Sequence, residues 1–520
     1  MFKIVLTSLL IGVILIKICF TFHSLWKAVS VKMESLLENT RFLKAEFTYS
    51  FVFKEEKMKK FWLILLSLGL ILAFSVSAFA VDVKVSGEFY AAGLYLNKAS
   101  LNDTGSDPFY GNTSTAFYFQ RLRVGTDFVV SPCLKLVTQF DAMERIWGGA
   151  RSAPSTSYDP QSAGTRAEAE NIAFRLMYID YTSPVGQFKV GYMPDYTFGT
   201  VFGDRGSGVP AGQIQYFIQK GPFTGFLGYA KESDKSHSAV NPLTTATDND
   251  FDSYRMAGIY NFRGGEAGAL LLIERNASSK AGVYSSAPLP AGYDMGYIAN
   301  VYVIDPYFKA QIGPVALQGE FQYWWGDARK WENQIFMSSI DHSNMSISAL
   351  SVFIDATANL GQFYVGGSFA YLSGDNPDST ERVEGGVNTA GLDWNPCLIM
   401  FNTVDTAYWA GSVGGYDGSV IDSEMANAWF FQVRGGIKPL PQLDTMLSVS
   451  YAMADKKPYS YNGDSYGWEV DLTGTYKITN NLSYMLGIGY LFTGDYFKGT
   501  DGGRKVDDDY LVINKLTLTF

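Results

Sequence analysis

The feature that most constrains this chain is a side-chain period of two, sustained in long runs from about residue 83 to the C-terminus. In Tyr466–Ile478 (YGWEVDLTGTYKI), Trp468, Val470, Leu472 and Tyr476 fall on one face, and Glu469, Asp471, Thr473, Thr475 and Lys477 on the other. Phe117–Val129 repeats the arrangement, with Leu122, Val124 and Phe128 opposite Arg121, Arg123 and Asp127. Alternate residues of a strand point to opposite faces, whereas a helix groups residues three and four apart. The runs are roughly 10–15 residues long, more than most strands of a globular sheet. The chain therefore reads as all-β.

Short turn signals join these runs in pairs. They occur at Val130–Cys133, Ser183–Gly186, Lys220–Pro222, Arg263–Gly265, Ile312–Pro314, Asn359–Gly361, Lys438–Pro441 and Thr479–Asn481. Eight turns make eight hairpins, and the opening run Val83–Leu96 and closing run Asp509–Phe520 add two strands, giving eighteen. Sixteen is the alternative, reached if Gln213–Glu232 is not a hairpin. Between the hairpins lie longer loops rich in Gly, Asp, Ser and Asn. An even strand count with short turns at one end and long loops at the other predicts a transmembrane antiparallel β-barrel, with periplasmic turns and extracellular loops. Closure satisfies every backbone group without leaving an edge exposed to lipid.

Composition agrees. The chain is 47% hydrophobic, which excludes disorder, yet only 18% charged, below the quarter usual in soluble domains. Aromatics reach 15%, and the clusters Tyr323-Trp324-Trp325, Trp429-Phe430-Phe431 and Tyr490 with Phe492 fit the girdles of a membrane barrel. Past residue 80 no apolar run approaches the ~18 residues of a spanning helix.

Residues 58–80 have the order of a secretory signal peptide: Met58-Lys59-Lys60, an apolar run, then Ala78-Phe79-Ala80 with cleavage expected after Ala80. Residues 1–57 are expected to be an upstream extension from a misassigned start rather than a second export signal. The first 80 residues hold 10 Lys+Arg and 5 Asp+Glu, so a whole-chain charge of −10 becomes −15 for residues 81–520. That sign opposes nucleic-acid binding, which depends on neutralising phosphates. The exported segment keeps two cysteines, Cys133 and Cys397, too few for a disulfide scaffold. They are expected at opposite ends of the barrel, unbridged.

The chain ends Tyr510-Leu-Val-Ile-Asn-Lys-Leu-Thr-Leu-Thr-Phe520. This resembles the terminal signal of Gram-negative outer-membrane proteins, departing from it in Lys515, where a Gly is common. Segments 117–148 and 173–204 are similar to the first hairpins of trimeric porin-like proteins of sulfate-reducing bacteria. The resemblance implies an outer-membrane diffusion pore, often a homotrimer. Leu516, Leu518 and Phe520 would be read by the barrel assembly machinery, and lipid and lipopolysaccharide would surround the barrel.

Inward side chains of such a barrel set selectivity. By alternation Arg121, Arg123, Lys135, Arg175 and Arg255 should project into the lumen. In porins the loop at the ordinal position of Pro194–Pro210 folds inward, so the resemblance places Asp195, Asp204 and Arg205 near a constriction, opposing those cations. Such opposed charges would favour one ion sign. No cofactor or metal site is expected, since the acidic groups Asp248/Asp250/Asp252 and Asp507–Asp509 lack the spacing of a calcium loop.

These residues are compatible with three classes of function. The favoured one is a porin passing ions and small hydrophilic solutes. The alternative is a substrate-specific channel for an acidic oligo- or polysaccharide, because YLSGDNPDS (371–379) and the eighteen strands are similar to alginate-export barrels. An enzyme is not expected: the exported segment has only His237 and His342, both in loops, and no nucleophile with a positioned base.

Overall fold

The computed structural model describes residues 81–101, 114–148, 172–195, 197–204, 210–234, 249–280, 296–332, 343–411, 413, 416, 424–500 and 505–520. The extension 1–57 and the signal segment 58–80 lie outside the described residues, as do His237, His342, Asp248 and Arg205. Val81–Phe520 forms one unit.

Its strands, in chain order, are β1 (Asp82–Leu96), β2 (Thr115–Ser131), β3 (Leu134–Ile146), β4 (Ile172–Ser183), β5 (Gly186–Pro194) and β6 (Pro210–Lys220). Then come β7 (Phe223–Ser233), β8 (Phe251–Phe262), β9 (Gly265–Asn276), β10 (Tyr297–Ile312), β11 (Val315–Trp331), β12 (Met345–Leu360) and β13 (Phe363–Leu372). After the two-residue β14 (Arg382–Val383) follow β15 (Ala428–Leu440), β16 (Leu443–Ala454), β17 (Ser465–Lys477), β18 (Leu482–Thr493) and β19 (Asp509–Thr519). Each long strand pairs antiparallel with its chain neighbours, β13 pairs directly with β15, and β19 pairs with β1. The ring is closed by eighteen strands. β14 lies outside it, parallel to the start of β12.

All eight expected short turns are present, including the one between β6 and β7 that separates eighteen strands from sixteen. Gly221, Gly264, Gly313 and Gly361 sit in these turns with positive φ, where a residue with a Cβ would be strained. Among the described residues, no helix is long and apolar enough to cross a membrane.

The faces are inverted relative to a soluble sheet. On β8, Tyr254 and Met256 point outward and are about half exposed, while the alternate residues Ser253 and Arg255 face inward and are buried. Outward positions elsewhere carry Val190, Ile214, Leu227, Ile354, Val433 and Ile488, all exposed. Alternation splits the aromatic clusters. Tyr323 and Trp325 stack outside with centroids 5.9 Å apart, whereas Trp324 packs against a small inward-facing apolar group. Trp429 and Phe431 flank Phe369 outside, but Phe430 is fully buried inside.

The main apolar core is within the barrel. Tyr90, Leu94 and Leu96 of β1, Phe119 of β2, Phe353 of β12, Phe430 of β15 and Leu511 and Ile513 of β19 pack against loop residues Val201, Phe202, Ile399, Met400 and Phe401. The lumen is therefore partly filled, from its long-loop end, by segments that enter it.

Candidate functional site: a charged lumen beneath two inward loops

The inner face of β2, β3 and β4 carries a row of cations, each matched to a carboxylate. Arg123 forks onto Asp141, with Nε–Oδ1 at 2.7 Å and Nη2–Oδ2 at 2.8 Å. Arg175 reaches the same carboxylate at 3.6 Å and donates to Gln139 at 2.9 Å. Arg121 lies between Glu88 (3.7 Å) and Glu144 (3.6 Å), above the Tyr90 ring. Lys135 binds Asp127 at 2.8 Å and approaches Asp180 at 3.8 Å. Side-chain exposures of 17%, 17%, 16% and 36% for Arg121, Arg123, Arg175 and Lys135 leave all four reachable by water. Paired in this way, the row alternates in sign along the wall rather than forming a uniformly basic surface.

Simple alternation does not explain Arg175. Tyr178 and Asp180 face inward, so residue 175 should face out. The β3–β4 register slips between Gln139 and Phe140, which pair with Leu176 and Phe174 respectively. Arg175 is the extra residue of that bulge, and the bulge turns it towards Asp141. A bulge re-aims one side chain in this manner.

Facing this row is the loop after β5. In the eighteen-membered ring β11 is nine strands from β2 in either direction, and Glu320 of β11 anchors the loop. Its Oε2 accepts from the Thr200 N–H (2.6 Å), the Thr200 hydroxyl (2.5 Å) and the Val201 N–H (2.5 Å). Its Oε1 accepts from the N–H groups of Phe202 (3.1 Å) and Gly203 (2.7 Å). Successive backbone N–H groups wrapped on a carboxylate form an anion nest, with the anion supplied by the barrel. Glycine is needed here. Gly199 has φ +87°, a Cβ on it would lie 2.6 Å from Glu320 Oε1, and one on Gly203 would collide with Asp305.

Asp195, expected to oppose the basic strands across an open constriction, instead closes directly on Arg255 of β8, which also binds Glu232 at 2.9 Å. Both Asp195 and Arg255 side chains are 5% exposed, so their charges cancel locally and project little field into the lumen. The loop's first residue thus leaves the strand pointing at the wall. Asp204 forms an isolated bridge with Thr197. Asp250 and Asp252 both bind Lys231, at 2.8 and 2.9 Å, and Asp507 pairs with Lys98 at 3.1 Å.

A second inward segment was not foreseen. The connection between β13 and β15 runs along the inside of the wall as far as β2. Glu469 of β17 plays the part of Glu320: its Oε1 accepts from Leu398 N–H (3.0 Å) and Ile399 N–H (2.6 Å), and its Oε2 from Met400 N–H (2.7 Å). Gln432 donates to the Pro396 carbonyl at 2.6 Å. Lys515 of β19 holds Asp405 at 2.7 Å and lies over the Tyr90 ring, so the residue that departs from the terminal pattern fastens this loop. Trp409 stacks on Phe119 with centroids 4.5 Å apart. Cys397, expected at a barrel end, is carried inside and buried, while Cys133 is exposed in its short turn, and both are free thiols. The available signal was the apolar run Cys397–Phe401, unusual for a solvated loop, and the inward glycines of β18. A Cβ on Gly487 or Gly489 would lie 3.1 Å from the Leu398 side chain.

The two loops touch: Gly391 N–H donates to the Val201 carbonyl at 2.7 Å. Asp393 sits near Asp204 across that contact. Burial, and then the Asp204 charge, push its pKa above the ordinary carboxylate value. At the short-turn end, where neither loop reaches, a cavity of about 440 Å³ is lined by Tyr364, Lys438, Asp444, Thr473, Thr475 and Lys477.

No family model and no curated protein matches this sequence. Solved structures similar to the chain include two porins and an outer membrane protein. The anion-selective porin from Comamonas acidovorans is 13% identical, with 84% of this chain and 99% of that one covered at a TM-score of 0.40. A BenF-like porin from Pseudomonas fluorescens Pf-5 is 11% identical, with 84% and 99% covered at 0.46. The outer membrane protein opdK from Pseudomonas aeruginosa is 12% identical, with 84% and 99% covered at 0.44.

Proposed function

We propose that residues 81–520 form an outer-membrane porin, a channel for passive diffusion of ions and small hydrophilic solutes. The carrying observation is the inversion of faces in a closed ring: exposed apolar side chains outside, water-reachable charged ones inside. Such a surface suits hydrocarbon outside and an aqueous path within. Diffusing solutes would pass between the loop held by Glu320 and the row of Arg121, Arg123, Arg175 and Lys135. The partners we infer are lipid and lipopolysaccharide around the barrel, the assembly machinery at Leu516, Leu518 and Phe520, and two further copies in a homotrimer. Export would follow cleavage after Ala80.

A second reading is a substrate-specific channel for an acidic oligo- or polysaccharide. The observation in its favour is the filling of the lumen by the segment between β13 and β15, which leaves less room than one constriction loop. The matching of each cation of the β2–β4 row to a carboxylate counts against a polyanion path. Single-channel recording of the folded barrel in a planar bilayer under a salt gradient separates the readings. Large ohmic steps, in threes for a trimer, support the porin. Small steps blocked by acidic oligosaccharides support the second reading, and a folded barrel giving neither current nor block refutes both.

A further inference from the structure

We propose that Cys397, Glu469 and Asp471 form a binding site for one divalent cation of borderline softness, with Zn²⁺ as the type, that rivets the inward segment to the barrel wall. The Cys397 sulfur and one oxygen of each carboxylate all lie within 4.8 Å of one another. The three residues are 3%, 0% and 2% exposed, so they sit beneath the loop rather than at the water-filled row. The loop contributes the thiol and the wall contributes the carboxylates.

The wall is short of positive charge at this point. Among the described residues no Lys or Arg forms an ion pair with Glu469 or Asp471. Asp471 Oδ1 is buried with no N–H or O–H donor in hydrogen-bond geometry, Oδ2 has a 3.5 Å contact from the Ser448 hydroxyl, and the Glu469 carboxyl and the Leu398 N–H approach the same carboxylate. A buried carboxylate oxygen left bare is costly unless a cation or a proton meets it. A Cβ on Gly489 would stand 2.7 Å from that oxygen, so glycine keeps the space before it open.

The donors are also held in place. The three N–H groups on Glu469 orient its carboxylate, and only one of them falls on Oε2. Asn402 donates to the Cys397 carbonyl at 2.9 Å, fixing the backbone that carries the sulfur. Such supporting bonds tune metal ligands. One sulfur with two carboxylate oxygens supplies three of the four ligands Zn²⁺ takes, leaving one position for water, whereas Ca²⁺ and Mg²⁺ take oxygen shells of six or more. The molecule contains its own control. Asp305 and Glu320 form a similar buried acidic pair under the other loop, with Asp305 Oδ1 likewise bare and Oδ2 accepting from Gln322 at 3.2 Å, but no thiol joins them.

The test uses the exported protein purified from membranes, residues 81–520, with Cys133→Ser leaving Cys397 as the single thiol. Bound zinc is measured by elemental analysis, and Cd²⁺ or Co²⁺ titration is followed by the thiolate-to-metal charge-transfer band. One equivalent and a saturable band are expected. Cys397→Ser should abolish the band, Asp471→Asn should weaken affinity at least about tenfold, and Asp305→Asn should change neither. A heat-modifiable, folded barrel that retains no metal and gives no band overturns the proposal, leaving a proton shared by the two carboxylates. So does a band of undiminished affinity in Asp471→Asn, which would mean the thiol binds alone.

Discussion

Glu320 accepts from four consecutive backbone N–H groups and one hydroxyl, and its amide analogue could not. In Glu320→Gln one oxygen becomes an NH₂ group facing N–H donors, so at least two of the five hydrogen bonds are lost. Hydrogen bonds to charged groups contribute about 1.5–3 kcal/mol each, enough to detach a short loop. Higher conductance and faster proteolysis between residues 195 and 210 are expected, and a variant indistinguishable from wild type in both would show that the loop is held elsewhere. On the facing wall, Arg121→Glu with Arg123→Glu exchanges two cations for two anions beside Glu88, Asp141 and Glu144. Selectivity should move towards cations. Unchanged reversal potentials in a salt gradient would remove these residues from the conducting path.

The loops titrate at their contact. Because the Asp393 pKa is raised in the folded protein, the assembled loops hold a proton more tightly than separated ones do. Their contact is therefore strengthened as pH falls through that raised value and weakened above it. Loop-dependent current fluctuations should grow with pH through and just above the ordinary carboxylate range, and Asp393→Asn should flatten the dependence. A profile identical in that variant would assign the titration to another group.

These elements were legible in the sequence to very different degrees. Hairpins could be read because each turn is local, written in residues such as Lys220-Gly221-Pro222 and Ile312-Gly313-Pro314. Strand faces could be read because period two is also local. The bulge that turns Arg175 inward leaves no mark in its own strand, since it arises from pairing with β3. Glu320 and Glu469 look like any other polar residue of a lumen face, and nothing nearby in sequence signals partners 117 to 120 or 69 to 71 residues away. The second inward segment is long and Gly-rich, which in sequence resembles a surface loop, and the packing of Phe353, Phe430 and Tyr466 against it comes from strands distant in the chain.

At the scale of the whole molecule, closure rests on a seam between the first and last strands. β1 and β19 pair from Glu88↔Thr519 to Leu96↔Leu511, and Gly87 and Phe520 exchange N–H···O bonds at 2.8 and 3.0 Å. A Cβ on Gly87 would stand 2.6 Å from the Phe520 ring and 2.7 Å from the Arg123 carbonyl. Gly87→Val should therefore lower the fraction of heat-modifiable barrel on gels, whereas Gly474→Ala, with open space around its Cβ, should not. Equal folded fractions in the two variants would show that the terminal aromatic does not need its seat on β1.

The bond between Gly391 and Val201 joins two segments that are separately moored to β17 and β11. Neither can swing away without pulling on the other's mooring, so the pair behaves as one bolt rather than two independent latches. The current carried by each single barrel should then flicker between two discrete levels, with no intermediate ones within one step.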